Sequence, residues 1–287
     1  MNQNLDRQIR DYIVAMPSLP TSVSKVMELC NNPHINPADL NHVISLDPVL
    51  TGRVLKLLNS AYYGLSRRIT SLARAIIMLG VNTVKNLVLS STVIGALGGK
   101  KISRGLDMEG FWRHSLCVGV SSKFLARERG IAPDLREEYF TAGFLHDIGK
   151  IPLNYILAKE YLLTLKAADT EKISLYRAED STLGLNHCAV GAMIADSWKL
   201  TGGVGDAVMY HHQYAEKTDS PYRDILFNVA VANYFAVGAE IGFSGDRWAE
   251  KIPPLVWELL GIGPDMFDRV AAEVGREIEK AEIFLML

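Results

Sequence analysis

The chain has 287 residues, 48% of them hydrophobic and 22% charged, a composition that supports one large or two small globular domains with a sizeable core. Its 30 Lys and Arg against 32 Asp and Glu leave a formal net charge of −2, which excludes a broad basic field that would hold nucleic acid regardless of sequence. Cys30, Cys117 and Cys188 make no CxxC pair and no even disulfide framework, so they read as reduced thiols in a cytoplasmic protein. The N-terminal MNQNLDRQIRDYIVAM has charges mixed through it, unlike a signal peptide. No apolar run approaches the roughly 20 residues that cross a bilayer, and no membrane association is expected.

The hydrophobic period is helical nearly throughout, and the fold class expected is all-α. In PTSVSKVMELC, Val23, Val26, Met27 and Cys30 fall at i, i+3, i+4 and i+7, one helix face. Asn36-Pro37 places a capping side chain before a proline suited to a first helical turn, and Leu40, Val43 and Ile44 follow. Asp47-Pro48 repeats the device ahead of Leu50, Val54, Leu57 and Leu58. Ser71 starts another helix, through Ala75, Ile76 and Leu79 to Gly80. Helices this short and closely spaced predict a compact multi-helix array.

The stretch GALGGKKISRG, 95–105, reads as a boundary between an N-terminal helical subdomain, 1–100, and a second subdomain, 101–287. Helical patterns then cover 109–129, 135–149, 188–198, 205–213, 222–241 and 265–286. The glycine-rich TGGVG, 201–205, has no strand before it and lacks dinucleotide-fingerprint spacing; its expected role is to turn the chain before the next helix. DPVLTGRVLKLLNSAYYG has the outline of a helix-turn-helix, but its faces are mostly apolar and its basic residues few, so direct DNA binding is not expected.

The chemistry gathers in the second part. Of seven histidines, His34 and His42 lie early and look like surface residues. His114, His146, His187, His211 and His212 follow in the second part, and Asp147 adjoins His146 in TAGFLHDIGK. Divalent ions that activate water want imidazoles and carboxylates, and two ions want a carboxylate between them. Successive helical residues point about 100° apart, so His146 can address one ion while Asp147 reaches between two. Taken singly, each residue has an ordinary explanation: a core histidine bonded to a carbonyl for His114, a neighbour of a helix cap for His187, a solvated helix end for His211 and His212. The ordered pattern favours the joint reading.

The run His114, His146-Asp147, His187, His211-His212 resembles the HD superfamily of metal-dependent phosphohydrolases, and its HD-GYP branch in particular. HDIGK (146–150) is similar to that branch's HDxGK, and His187 with Gly191 to its H-x-x-x-G. Earlier, MPSLPTSVSKVMEL and ISLDPVLTGRVLKLLNSAYYGLSRRITSLARAIIMLG, with Asp47-Pro48, Asn59-Ser60-Ala61 and Ala75 to Gly80, resemble the HDOD domain, the HD-related output domain of bacterial signalling proteins. The resemblance covers roughly residues 10–240. It implies an HD-type helical fold, a role in signal transduction with a protein partner, and a core in which catalysis has often been lost.

By that resemblance His114, His146, Asp147 and Asn233 would form one ion position, and Asp147, His187, His211 and His212 a second, with Asp147 and Lys150 as the catalytic pair. Lys150 matches the lysine that neutralises phosphate charge; a lysine near a helix C-terminus is the ordinary alternative. The chain departs from active phosphodiesterases of the branch. It lacks GYP, has Gln213 where Glu would follow the paired histidines, and has Asn233 where the last metal-binding aspartate would fall. Acidic ligands for a third ion would fall near Gly110 and Gly242, which have no side chain to ligate. The donor set suits one or two divalent transition ions, iron first and manganese, nickel or zinc next, rather than magnesium. A metal-dependent phosphohydrolase acting on a cyclic dinucleotide or another phosphoester is the alternative function.

Overall fold

The computed structural model describes residues 3–16, 18–32, 34–97 and 105–287. They form α1 (Gln3–Ala15), α2 (Thr21–Cys30), α3 (Pro37–Ser45), α4 (Pro48–Leu58), α5 (Leu72–Leu79), α6 (Val81–Leu97), α7 (Met108–Glu128), α8 (Arg136–Leu145), α9 (Lys150–Ile156), α10 (Ala158–Glu171), α11 (Leu175–Leu183), α12 (His187–Ser197), α13 (Gly202–Tyr210), α14 (Arg223–Gly238), α15 (Pro254–Leu260) and α16 (Pro264–Ala281), with short 3-10 turns and no strand among the described residues. The all-α expectation holds. The boundary expected at 95–105 lies largely outside the described residues, at 98–104.

Local chemistry sets the early helix starts. The side chains of Asn36, Asp47 and Ser71 accept from the N–H groups of Ala38, Leu50 and Arg74, satisfying donors that a helix N-terminus leaves open. Asn59 pins the following loop: its amide donates to Leu55 O and Ile69 O and accepts from Ile69 N. α6 shows no amphipathic face, and the structure explains why. It is buried along most of its length, and Ser90 meets Thr141 of α8 at 3.1 Å. No single helix among the described residues is long and apolar enough to cross a membrane.

α7 and α8 pack side by side at the centre, flanked by α6, α13, α14 and α16. A single apolar core runs from Ile9 of α1 through α4, α7 and α8 to Phe284 near the C-terminus. At the first turn of α8 the buried Glu137 accepts from Tyr63 Oη and Lys123 Nζ, each at 2.6 Å, tying the early loop to the central pair.

The expected helix 135–149 is divided. α8 stops at Leu145, residues 146–149 form turns, and α9 begins at Lys150. The reason is a backbone crossing. A Cβ on Gly149 would collide with His187 O and come 2.6 Å from Gly191 N. The two motif glycines therefore mark where the α8–α9 turn presses against α12. TGGVG also differs from expectation: only its start turns the chain, at Gly202 with φ +70°, and the rest is the first turn of α13, where Gly203 leaves room for Ile225. α1, α6, α9, α10, α11 and α15 lie outside the predicted stretches.

Candidate metal centre

Five segments converge on one buried point. The second turn of α7 supplies His114, the α8–α9 turn His146 and Asp147, the start of α12 His187, the end of α13 His211 and His212, and α14 Asn233. His114, His146, Asp147, His187 and His211 are all buried.

Asp147 sits between two sets of imidazoles. Its Oδ2 lies 3.3 Å from His146 Nε2 and 3.8 Å from His114 Nε2. Its Oδ1 lies 3.4 Å from His187 Nε2 and 3.5 Å from His211 Nε2. The two Nε2 atoms of His187 and His211 are 3.1 Å apart. Three rings are oriented by their other nitrogen: Nδ1 of His146 faces Gly143 O at 2.7 Å, Nδ1 of His211 faces Ala207 O at 2.8 Å, and Nδ1 of His187 faces Glu179 Oε2 at 2.6 Å. With those N–H groups committed outward, the Nε2 lone pairs point inward, the arrangement that orients metal-ligating histidines.

Two inward atoms, His146 Nε2 and Asp147 Oδ1, are buried and accept no hydrogen bond. Buried polar atoms are nearly always paired, so these orphans, beside two further imidazole nitrogens, fit a divalent ion. His114 differs. Its Nε2 meets Asn233 Oδ1 at 3.0 Å, so the ring N–H donates to the amide and its lone pair is not free on that side. Asn233 thus bonds a neighbouring candidate ligand, where an aspartate would add charge. His212 lies at the edge, stacked on Tyr176 at 4.6 Å, with Nδ1 3.6 Å from Glu250 and Nε2 buried without a partner.

Burial dominates the electrostatics. It pushes His114 down to about 3 and takes His187 and His211 well below the usual imidazole range, which favours the neutral form of all three and leaves the inward Nε2 lone pairs of His187 and His211 available to an ion. Burial works against charge on Asp147 too, but His146 and Lys150 outweigh it and hold the carboxyl well below its usual range. Lys150 donates to Asp147 Oδ2 at 2.7 Å and to Ser244 Oγ at 3.2 Å. It opens α9 rather than ending a helix, so the helix-C-terminus explanation for it fails.

Glu179, which the sequence did not single out, accepts from His187 N, His187 Nδ1 and Tyr161 Oη; burial pushes its carboxyl up to about 8. The segment after α14 roofs the site. Phe243 N donates to Gly110 O at 2.8 Å, Ser244 meets Lys150, and Asp246 caps the start of α11 through Leu175 N. Gly242 has φ +70°, and a Cβ there would strike His114 N, so the roof lies directly on α7. A cavity of about 510 Å³, lined by His114, Glu240, Phe243, Asp246, Arg247 and Trp248 among others, reaches His114 beside this roof.

Comparison with known proteins follows the same lines. The HDOD domain family model matches residues 16–214. An HDOD domain protein of unknown function from Geobacter sulfurreducens is 26% identical, with a TM-score of 0.70 over 98% of this chain and 97% of that one. A Shewanella amazonensis SB2B protein that carries the provisional name of a phosphohydrolase is 25% identical, with a TM-score of 0.70 over 96% and 98%. An uncharacterised protein of Treponema pallidum is 25% identical over 232 residues, which are 80% of this chain and 44% of that protein. The chain therefore spans less than half the length of that curated relative.

Proposed function

Because the chain belongs to the HDOD domain family, we propose that it is a signal-transduction protein whose HD core holds one or two divalent transition ions and uses them to fix a regulatory conformation. The observation that carries this reading is the Asp147 carboxylate among the inward-facing imidazoles of His146, His187 and His211, with His114 beyond, and with His146 Nε2 and Asp147 Oδ1 buried and unpaired. His187, His211 and Asp147 would hold the firmer ion. His146, Asp147 and His114, with Asn233, would hold the weaker one, because His114 is engaged by an amide that brings no charge. Iron, zinc, nickel or manganese suits such an imidazole-rich set better than magnesium, with iron taken first from the resemblance and not from the donor set.

When bound, the ion supplies Lewis acidity toward an oxygen ligand. The chain's own groups do the rest. Glu179 fixes the His187 ring, Lys150 compensates the Asp147 charge, and the roof at Phe243–Asp246 keeps bulk water from the centre. Five segments meet at this one point, so an ion there would lock α7, α8, α12, α13 and α14 relative to one another. That lock is what a signalling partner would read.

A second reading, hydrolysis of a nucleotide or other phosphoester, is favoured by the cavity of about 510 Å³ that reaches His114. Against it, Lys150 is already committed to Asp147 and Ser244. Turnover of cyclic dinucleotides and of bis(p-nitrophenyl) phosphate by the iron- or manganese-loaded protein separates the two. The regulatory reading predicts no turnover above the Asp147→Ala background; turnover abolished by that substitution would replace it with the hydrolytic one.

A further inference from the structure

Away from the metal centre, a cavity of about 240 Å³ opens where the loop after α4, the end of α7, the start of α8 and the end of α16 meet. Its walls include Tyr62 of the loop, Lys123, Phe124 and Arg127 of α7, Arg136 of α8 and Glu277 of α16. Lys123 and Arg127 are four residues apart and so share one helix face. Two of the four charges are already met. Lys123 Nζ donates to Glu137 Oε2 at 2.6 Å, and Glu277 Oε1 accepts from Lys280 Nζ at 2.6 Å.

The two arginines are not. Arg127 spends its Nε on Glu128 Oε1 at 3.1 Å, and Glu128 is shared with Arg269. Arg136 spends its Nε on the backbone oxygen of Ile131 at 2.6 Å and forms no ion pair among the described residues. The terminal nitrogens of both guanidiniums have no acceptor among the described residues. On an open surface water would satisfy them, and nothing further would follow. Here they line one cleft, and Arg136 is only partly exposed. The Arg127 guanidinium lies 4.6 Å over the Phe124 ring, and Lys123 Nζ lies 4.6 Å from the Tyr62 ring centre. A guanidinium fork matches a phosphate oxygen pair with two parallel bonds, and aromatic faces cover an apolar body.

We propose that this cleft binds a small organic phosphate, its head held by Arg127 and Arg136 and its apolar body laid against Tyr62 and Phe124. Two uncommitted guanidiniums in one cleft favour a dianionic head over a single carboxylate. The volume lies below the roughly 300–1,000 Å³ of pockets for drug-sized ligands, so the ligand is compact and a cyclic dinucleotide is excluded. The site is separate from the metal centre. α8 puts ten residues between Arg136 and Leu145, about 15 Å of helix, and the cleft does not depend on a bound ion. It lies at the far ends of α7 and α8, the helices that bring His114 and the His146–Asp147 turn to the centre. A ligand there ties the early loop to the central pair, at the junction already bridged by Tyr63 and Glu137.

Phenylphosphonate, a dianion on an aromatic ring with no ester bond to hydrolyse, is the probe. The full chain is stripped with a chelator, so that no ion competes for the probe, and titrated in mildly alkaline buffer while the phosphorus NMR resonance is followed. The expected result is a saturable one-site shift with a Kd on the order of 1 mM, weakening as salt is added. Arg136→Ala is expected to weaken binding about tenfold. Arg247→Ala, in the cavity beside His114, is expected to leave it unchanged. Should Arg136→Ala not fold, Arg127→Ala decides in its place with the same expected loss, at a side chain 49% exposed. No saturable shift with the wild-type protein, affinity retained by the folded arginine variant, or binding lost on Arg247→Ala would overturn the site.

Discussion

Replacing Glu179 by glutamine tests how the centre is held without touching a candidate ligand. The carboxyl group takes three donors: His187 Nδ1 at 2.6 Å, His187 N at 2.8 Å and Tyr161 Oη at 2.8 Å. A glutamine oxygen can still accept from the ring, but its NH2 then opposes one of the other donors. One buried donor loses its partner, which costs the apo fold about 1–3 kcal/mol. The ring is also held by an amide oxygen in place of a carboxyl oxygen. Loss of such an outer partner weakens metal binding on the order of 10–100-fold, or about 1.4–2.7 kcal/mol. Zinc affinity by competition with a chromophoric chelator, alongside urea unfolding of the metal-free protein, measures both. Affinity within twofold of wild type in a folded Glu179→Gln protein would refute the claim that this carboxylate orients His187 for an ion.

Asn233→Asp is expected to raise the ion content toward two equivalents, since an aspartate would add a negative donor where the amide now bonds His114; elemental analysis under metal excess checks this. Gly149→Ala should destabilise by on the order of 3 kcal/mol in urea unfolding, because the new methyl meets His187 O and Gly191 N at a backbone crossing. Asp47→Ala removes a helix cap and should cost about 1 kcal/mol. The Asp47 carboxyl is held below its usual range chiefly by the Leu50 N–H. Its contribution is therefore complete above the unfolded carboxylate pKa and is lost as pH falls through the lower folded one. The difference in stability between Asp47→Ala and wild type should shrink across that acid window, and a constant difference would contradict it.

What the chain order revealed and what it hid have physical causes. Asn36, Asp47 and Ser71 could be read as caps because a cap is a local device, settled within three residues. The histidines and Asp147 could be read because their ligand spacing repeats a known pattern, and the structure brings His114, His146, Asp147, His187 and His211 to one point. α6 escaped because a helix buried on nearly every side shows no amphipathic period. α10 escaped because Leu162 and Leu163 lie partly or largely exposed and blur its apolar face.

Glu179 and Ser244 escaped for a different reason. Glu179 lies eight residues before His187, and the two meet only because the α11–α12 turn folds one onto the other. Ser244 meets Lys150 across 94 residues, through a roof held by the Phe243–Gly110 backbone bond.

The measurement that bears most directly on the account is the metal content of the protein as purified and after reconstitution with ferrous iron or zinc, beside Asp147→Ala. The account predicts one to two equivalents in the wild-type protein and a loss of both positions in the variant, because Asp147 faces each imidazole set through a different oxygen. No ion in the wild-type protein after reconstitution, or undiminished content in a folded Asp147→Ala protein, would contradict it.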